Sequence, residues 1–150
     1  MPSPLQLDRR FRWGVYAVFA LLVATGTVWI VADRLKDSDN GEFWQAVAAN
    51  QLMIHGGAAM VTLVMVGALI PIHMLRAWRG RLNVVTGIAM ATVNVVLVVT
   101  AFGLYYLGSE TLRPIISDIH IVSGFVIAPL FIFHVWFGRR RTKDLHGGRT

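Results

Sequence analysis

The sequence predicts an all-α integral membrane protein: an up-and-down bundle of four transmembrane helices with both termini in the cytoplasm. Three observations predict this class. Hydrophobic residues make up 55% of the 150 residues and charged residues only 15%, which is far from the balance of a soluble domain. The hydrophobic residues fall into four blocks, each close to the roughly 20 residues that cross a bilayer. Basic residues cluster at alternate ends of these blocks.

The four blocks are predicted to form a single domain. Helix 1 ends at the acidic loop 33–42, and helix 2 is preceded by a half-polar helical segment, 43–47. Helix 3 is rich in valine, but a lone strand of that length would leave its backbone groups unpaired in lipid, so a helix is expected. Pro114 suits the first turn of helix 4, which a basic tail follows. The predicted spans are about 13–32, 52–75, 84–107 and 114–138.

The basic residues precede helix 1, separate helices 2 and 3, and follow helix 4. Because positive charge is retained on the cytoplasmic side, this pattern places both termini in the cytoplasm, and we expect a bacterial inner membrane. The net charge is +6, but the basic residues lie at the ends of the helices and not along one exposed face. They therefore do not indicate nucleic acid as a partner. The chain has no cysteine, which excludes disulfides, iron–sulfur clusters, thiolate metal sites and covalently attached haem.

Four of the five histidines lie inside predicted helices 2 and 4: His55, His73, His120 and His134. Ionisable side chains within a membrane are rare and commonly functional. His55 and His73 are 18 residues apart, or about five α-helical turns, while His120 and His134 are 14 apart, or about four. Each pair is therefore expected on one side of its helix. His146 lies in the polar tail, and no ligand role is expected for it.

In an up-and-down bundle helices 2 and 4 run parallel, so their histidines face each other in two pairs. We predict that His55 with His120 holds an outer b-type haem and His73 with His134 a cytoplasmic one, each iron taking two neutral imidazoles. The separations along the helices, about 27 and 21 Å, differ by about 6 Å. A distortion at Pro71 is expected to absorb part of this difference. A single haem stays open.

Small residues follow the outer ligands, with Gly56 and Gly57 after His55 and Gly124 after His120. They would let a flat macrocycle approach the helix, although small residues also serve helix packing in membranes.

The pattern resembles the membrane cytochrome b superfamily, which includes small four-helix di-haem quinone-linked cytochromes and the membrane subunits of formate dehydrogenases and hydrogenases. The resemblance is most specific in helix 4, where His120, Gly124, His134 and Trp136 precede a basic run. It implies two haem b groups and electron transfer across the membrane between a quinone pool and a redox partner. The chain would then be the membrane anchor subunit of an oxidoreductase. The direction of electron flow and the host complex stay open.

Two other classes of function are compatible with the sequence. One is a haem-free accessory or ion-conducting bundle, and the other is a stand-alone enzyme that acts between a small molecule and quinone. Near the outer level, the side chains able to hydrogen-bond a quinone are Asp118, Asn50, Gln51, Tyr105 and Tyr106. The arginines able to pair with haem propionates are Arg76, Arg79, Arg81 and Arg113.

Overall fold

A computed structural model describes residues 8–81 and 83–147 of the chain, with side chains described as far as Gly138. In the described ranges every regular element is helical and there is no strand, which confirms the all-α class. The elements are α1 (Arg9–Leu35), α2 (Gly41–Leu69), a π-helix (Ile70–Met74), α3 (Leu75–Arg79), α4 (Val84–Tyr106) and α5 (Leu112–Gly147).

Among the described residues, four helical stretches are long and apolar enough to cross a membrane, as the sequence predicts. They are Arg9–Leu35, Gly41–Arg79, Val84–Tyr106 and Leu112–Gly138. Most helix ends lie outside the predicted limits because backbone hydrogen bonding continues into polar turns that hydropathy does not register. The largest differences are at the start of α2, which takes in the half-polar segment, and at the end of α5, which runs through most of the expected tail.

The chain divides into two compact units. The first, Met1–Arg76, consists mainly of α1 packed against α2. A Cβ added to Gly14 would lie 3.1 Å from Met65, and one added to Gly26 would lie 3.3 Å from the ring of His55. The contact later in α1 is therefore made with a residue earlier in α2, so the two helices are antiparallel. This unit is called the first hairpin.

The second unit, Ala77–Thr150, consists mainly of α4 packed against α5. A Cβ added to Gly103 would lie 3.3 Å from Ile116, and one added to Gly138 would lie 3.2 Å from Asn83. The pairing again runs in opposite directions, and this unit is called the second hairpin.

Local polar contacts fix the helix ends near the turns. Asp8 caps α1, its carboxylate accepting from the backbone N–H groups of Arg10 at 2.9 Å and Phe11 at 3.4 Å. Ser109 caps α5 by accepting from the N–H of Leu112 at 3.3 Å, and Pro114 lies in the first turn of that helix, as predicted.

The turn of the first hairpin carries an exposed ion pair. Lys36 donates to the Asp33 carboxylate at 2.9 Å, and this hydrogen bond raises the pKa of Lys36 above its usual value. A side chain on Gly41 would collide with the Lys36 carbonyl, so glycine is needed where α2 begins.

Candidate functional site

The half-buried ring of His55 is joined to the neighbouring helix of its own hairpin. Its Nδ1 lies 3.0 Å from the hydroxyl oxygen of Thr25 on α1. Thr25 is only 4% exposed, and its hydroxyl also lies 2.7 Å from the carbonyl of Leu21, one turn back. A polar pair of this kind is favoured between membrane helices because lipid offers neither group another partner.

The single hydroxyl proton of Thr25 determines the roles in this contact. The carbonyl of Leu21 can only accept, and at 2.7 Å it takes the Thr25 proton in a short hydrogen bond. With its proton on that carbonyl, the Thr25 oxygen offers His55 a lone pair, and the tautomer of His55 that fits this arrangement donates from Nδ1–H. In a neutral imidazole this arrangement puts the remaining lone pair on Nε2, the nitrogen that can bind a metal.

Gly26 makes room for the His55 ring. A Cβ at this position would lie 3.3 Å from Cε1 and 3.6 Å from Nδ1 of the ring. The first distance is shorter than an ordinary van der Waals contact between carbon atoms, so a larger residue would displace the imidazole. The consecutive residues Thr25 and Gly26 thus supply the hydrogen-bond acceptor and the space beside it.

His120 repeats this arrangement in the second hairpin. Its Nδ1 lies 2.8 Å from the hydroxyl of Thr100 on α4, which is 7% exposed. The Thr100 hydroxyl also lies 2.7 Å from the carbonyl of Val96, so the tautomer with its proton on Nδ1 fits the contact of His120 in the same way. In that tautomer the lone pair of His120 is on Nε2 as well.

His134 contacts a second threonine of α4. Its Nδ1 lies 2.9 Å from the hydroxyl of Thr86, whose backbone acceptor, the carbonyl of Asn83, is more distant at 3.2 Å. The Thr86 proton is therefore held less firmly than those of the other two threonines. Because His120 and His134 both bond to α4, the prediction that they lie on one side of their helix is confirmed.

His73 lies in the π-helix, where the backbone is distorted next to Pro71. Leu75 donates its N–H to the carbonyl of Ile70, five residues back, instead of four. A π-helical turn holds about one residue more than an α-helical turn, so His55 and His73 are no longer separated by five regular α-helical turns. The two rings are offset by an angle of up to about 100°, the rotation that one α-helical residue makes. Their shared side therefore does not follow from the residue count.

The glycines next to His55 and His120, the predicted outer ligands, differ in position. Gly57 follows His55 by two residues, or about 200° around the helix, so it does not lie beside that ring. Gly124 follows His120 by four residues, or about 40°, and lies on the same side. Within the described part of the chain, a Cβ on either glycine would meet nothing within 4 Å.

The other predicted side chains lie on the surfaces of their hairpins. Of the quinone candidates, Gln51 is half-buried and the others are exposed: Asn50, Tyr105, Tyr106 and Asp118. The arginines proposed as propionate partners are also exposed: Arg76, Arg79, Arg81 and Arg113.

The donor chemistry suits a haem iron. Among the described residues no three His, Asp or Glu side chains lie close enough to chelate a metal ion on their own. A porphyrin supplies four of the iron's ligands, so the protein needs to offer only axial ones, and a neutral imidazole with a bonded Nδ1–H is a suitable axial ligand. His55 and His120 fit this requirement.

Comparison of the chain with protein-family models, with curated proteins and with solved structures found no match in any of the three.

Sequence reasoning missed the threonines, although a simple signal identifies them. Asn40, in the turn of the first hairpin, is midway between Thr25 and His55. Glu110, in the turn of the second, is midway between Thr100 and His120 and also between Thr86 and His134. Residues equally far from the turn lie at the same level of an antiparallel hairpin. The matching position for His73 is Leu7, which lies outside the described residues.

Proposed function

We propose that this protein is a b-type cytochrome of the membrane that holds two haems and passes electrons between a quinone pool and a redox partner. The observation that carries the proposal is the hydrogen bond from Nδ1 of His55 and of His120 to a buried threonine. An imidazole that donates this hydrogen bond from Nδ1–H carries its lone pair on Nε2, where it would act as a ligand at two positions inside apolar helices.

A ligand role explains histidines inside apolar helices better than a packing role does, and this supports bound haem. A histidine kept only for packing in lipid would gain little, since a hydrogen bond between membrane helices contributes about 0.6 kcal/mol on average. Four imidazoles inside helices of this kind favour a bound group that uses them. The π-helix around His73 adds support, because such distortions are frequent at functional sites.

The residues have distinct tasks in this proposal. Bound haem would supply an iron that alternates between ferric and ferrous states. His55 and His120 would offer Nε2, Thr25 and Thr100 would hold the proton on Nδ1, and the apolar helices would exclude water. The pairing of His55 with His120 and of His73 with His134 belongs to the proposal and rests on the sequence.

The wider setting is also proposed from the sequence. The alternation of basic residues supports an up-and-down arrangement with cytoplasmic termini, in a bacterial inner membrane. The short turns leave little room for a catalytic domain, which supports a role as the membrane anchor subunit of a quinone-linked oxidoreductase.

Haem content tests the proposal directly. A pyridine haemochrome assay on purified protein should give two haem b per chain. Each substitution, His55→Ala, His73→Ala, His120→Ala and His134→Ala, should lose haem, because a six-coordinate iron would lack one axial ligand. His146→Ala is the matched control and should keep both. Wild-type protein without a reduced-minus-oxidised haem b spectrum would refute the proposal in favour of a haem-free bundle.

A further inference from the structure

We infer that Thr25 and Thr100 are positioning residues that set the donor strength of the haem ligands His55 and His120; this inference rests on the proposed function. Each threonine is at least 93% buried, and each oxygen lies within 3.0 Å of an imidazole Nδ1. Neither residue would touch iron. They act through the histidine ring.

The first step is the choice of tautomer. A neutral imidazole can carry its proton on either nitrogen, and only the Nδ1–H form presents a lone pair at Nε2. In both pairs the hydroxyl lies 2.7 Å from a carbonyl of its own helix, and a hydroxyl that donates to this carbonyl offers the ring only its lone pairs. The helix backbone of α1 and of α4 thereby selects the ligating form of a histidine on the adjacent helix.

The second step is the strength of the ligand. An acceptor on Nδ1–H withdraws that proton slightly and makes Nε2 more basic, as partners outside the coordination sphere of metal-bound histidines commonly do. A more basic axial ligand favours the ferric state over the ferrous state, so the midpoint potential falls. Removing the acceptor should therefore raise the potential and weaken haem binding.

The third step ranks the threonines. The hydroxyls of Thr25 and Thr100 are both held by a carbonyl at 2.7 Å, whereas Thr86 is 3.2 Å from its carbonyl. The oxygen of Thr86 is then less committed to accepting from His134. Loss of its hydroxyl should change the potential less than loss of either of the others.

The test compares Thr25→Val and Thr100→Val, which keep the side-chain shape, with Thr25→Ser and Thr100→Ser, which keep the hydroxyl. Thr62→Val is the matched control, because Thr62 is 8% exposed and donates to the carbonyl of Ala58 in its own helix at 2.9 Å. Haem affinity and midpoint potential are measured on the purified full chain. Thr25→Ala and Thr100→Ala, which add no bulk, replace any valine variant that fails to fold.

We expect the valine variants to bind haem about 10- to 100-fold more weakly and to shift the midpoint potential upward. The serine variants and Thr62→Val should match the wild type. Valine variants with unchanged affinity and potential would overturn the inference, as would an equal change in Thr62→Val, which would indicate a general packing effect. Failure of the proposed function is distinguishable, because the wild-type chain itself would then contain no haem.

Discussion

At the scale of single residues, buried threonines determine how the histidines can act. Thr25, Thr62 and Thr100 are all buried, and each hydroxyl bonds a carbonyl of its own helix. Of these three, Thr25 and Thr100 also contact an imidazole. A hydroxyl that donates to a carbonyl of its own helix keeps lone pairs on its oxygen. The hydrogen bond that satisfies a threonine in lipid therefore also lets it accept from a ring on the next helix.

Gly26 offers a test of ring position that leaves every polar group in place. Gly26→Ala would add a methyl group 3.3 Å from Cε1 of His55, so we expect the ring to shift and the folded state to lose about 1–3 kcal/mol from overpacking. The bond to Thr25 would lengthen and haem content would fall. Haemochrome analysis and thermal unfolding in detergent measure both effects.

Gly87→Ala is the control for that change. Nothing described lies within 4 Å of the added Cβ, and alanine is the better helix former by about 1 kcal/mol, so haem content should be unchanged and stability equal or higher. Equal haem loss in the two variants would show that Gly26 has no special relation to His55.

The sequence revealed the histidines but not their partners, for a physical reason. An imidazole in an apolar run is conspicuous because burying it is costly, whereas threonine satisfies its hydroxyl on the preceding turn and is common in membrane helices. Which threonines face a histidine depends on where the turn lies. The symmetric spacing about Asn40 and Glu110 becomes informative only after the hairpins are known.

At the scale of elements, the π-helix is the main departure from regular geometry. Pro71 has no N–H to offer the carbonyl of Gly67, and its ring would crowd that carbonyl in a regular α-helix. A wider π-helical turn covers Ile70–Met74 and includes Pro71. A distortion at Pro71 is expected from the sequence. Its form is not, because Pro129 lies inside α5 without a π-helix.

Pro71→Ala should restore regular hydrogen bonding and turn His73 to a different direction. Alanine is favoured over proline in a helix interior by about 3 kcal/mol, so we expect the protein without haem to become more stable while haem bound through His73 is lost. Circular dichroism melting of the haem-free form and haemochrome analysis separate the two effects. Pro129→Ala should raise stability with no loss of haem. A Pro71→Ala variant with full haem content would show that the distortion is unrelated to the ligand.

The helix ends show a limit of hydropathy. Runs of about 20 apolar residues predict helices able to cross a bilayer, and the described residues contain four helices of sufficient length and apolarity. The ends depend on capping and turn contacts, such as Asp8 before α1 and Ser109 before α5, which act in water-exposed segments. The predicted span began at residue 52, while α2 begins at Gly41 and takes in the half-polar segment 43–47, which was predicted to be helical.

At the scale of the whole molecule, the absence of cysteine makes the proposed topology simple to test. Single cysteines can be introduced as Ser38→Cys and Glu110→Cys in the two hairpin turns and as Gly80→Cys between α3 and α4. A membrane-impermeant maleimide should label the first two from outside the cytoplasmic membrane, because the proposed orientation puts the basic residues around Gly80 in the cytoplasm. Gly80→Cys should react only after permeabilisation. The opposite pattern would invert the proposed orientation.

Each histidine–threonine contact joins two helices of the same hairpin, which affects when it can form during synthesis of the protein. Thr25 and His55 are both synthesised before the chain reaches Ala77, so their hydrogen bond can form while the second hairpin is still on the ribosome. Each half of the polypeptide can thus orient its own imidazole during translation. A porphyrin delivered afterwards would meet ligands already aimed, and little conformational freedom would remain to be lost on capture.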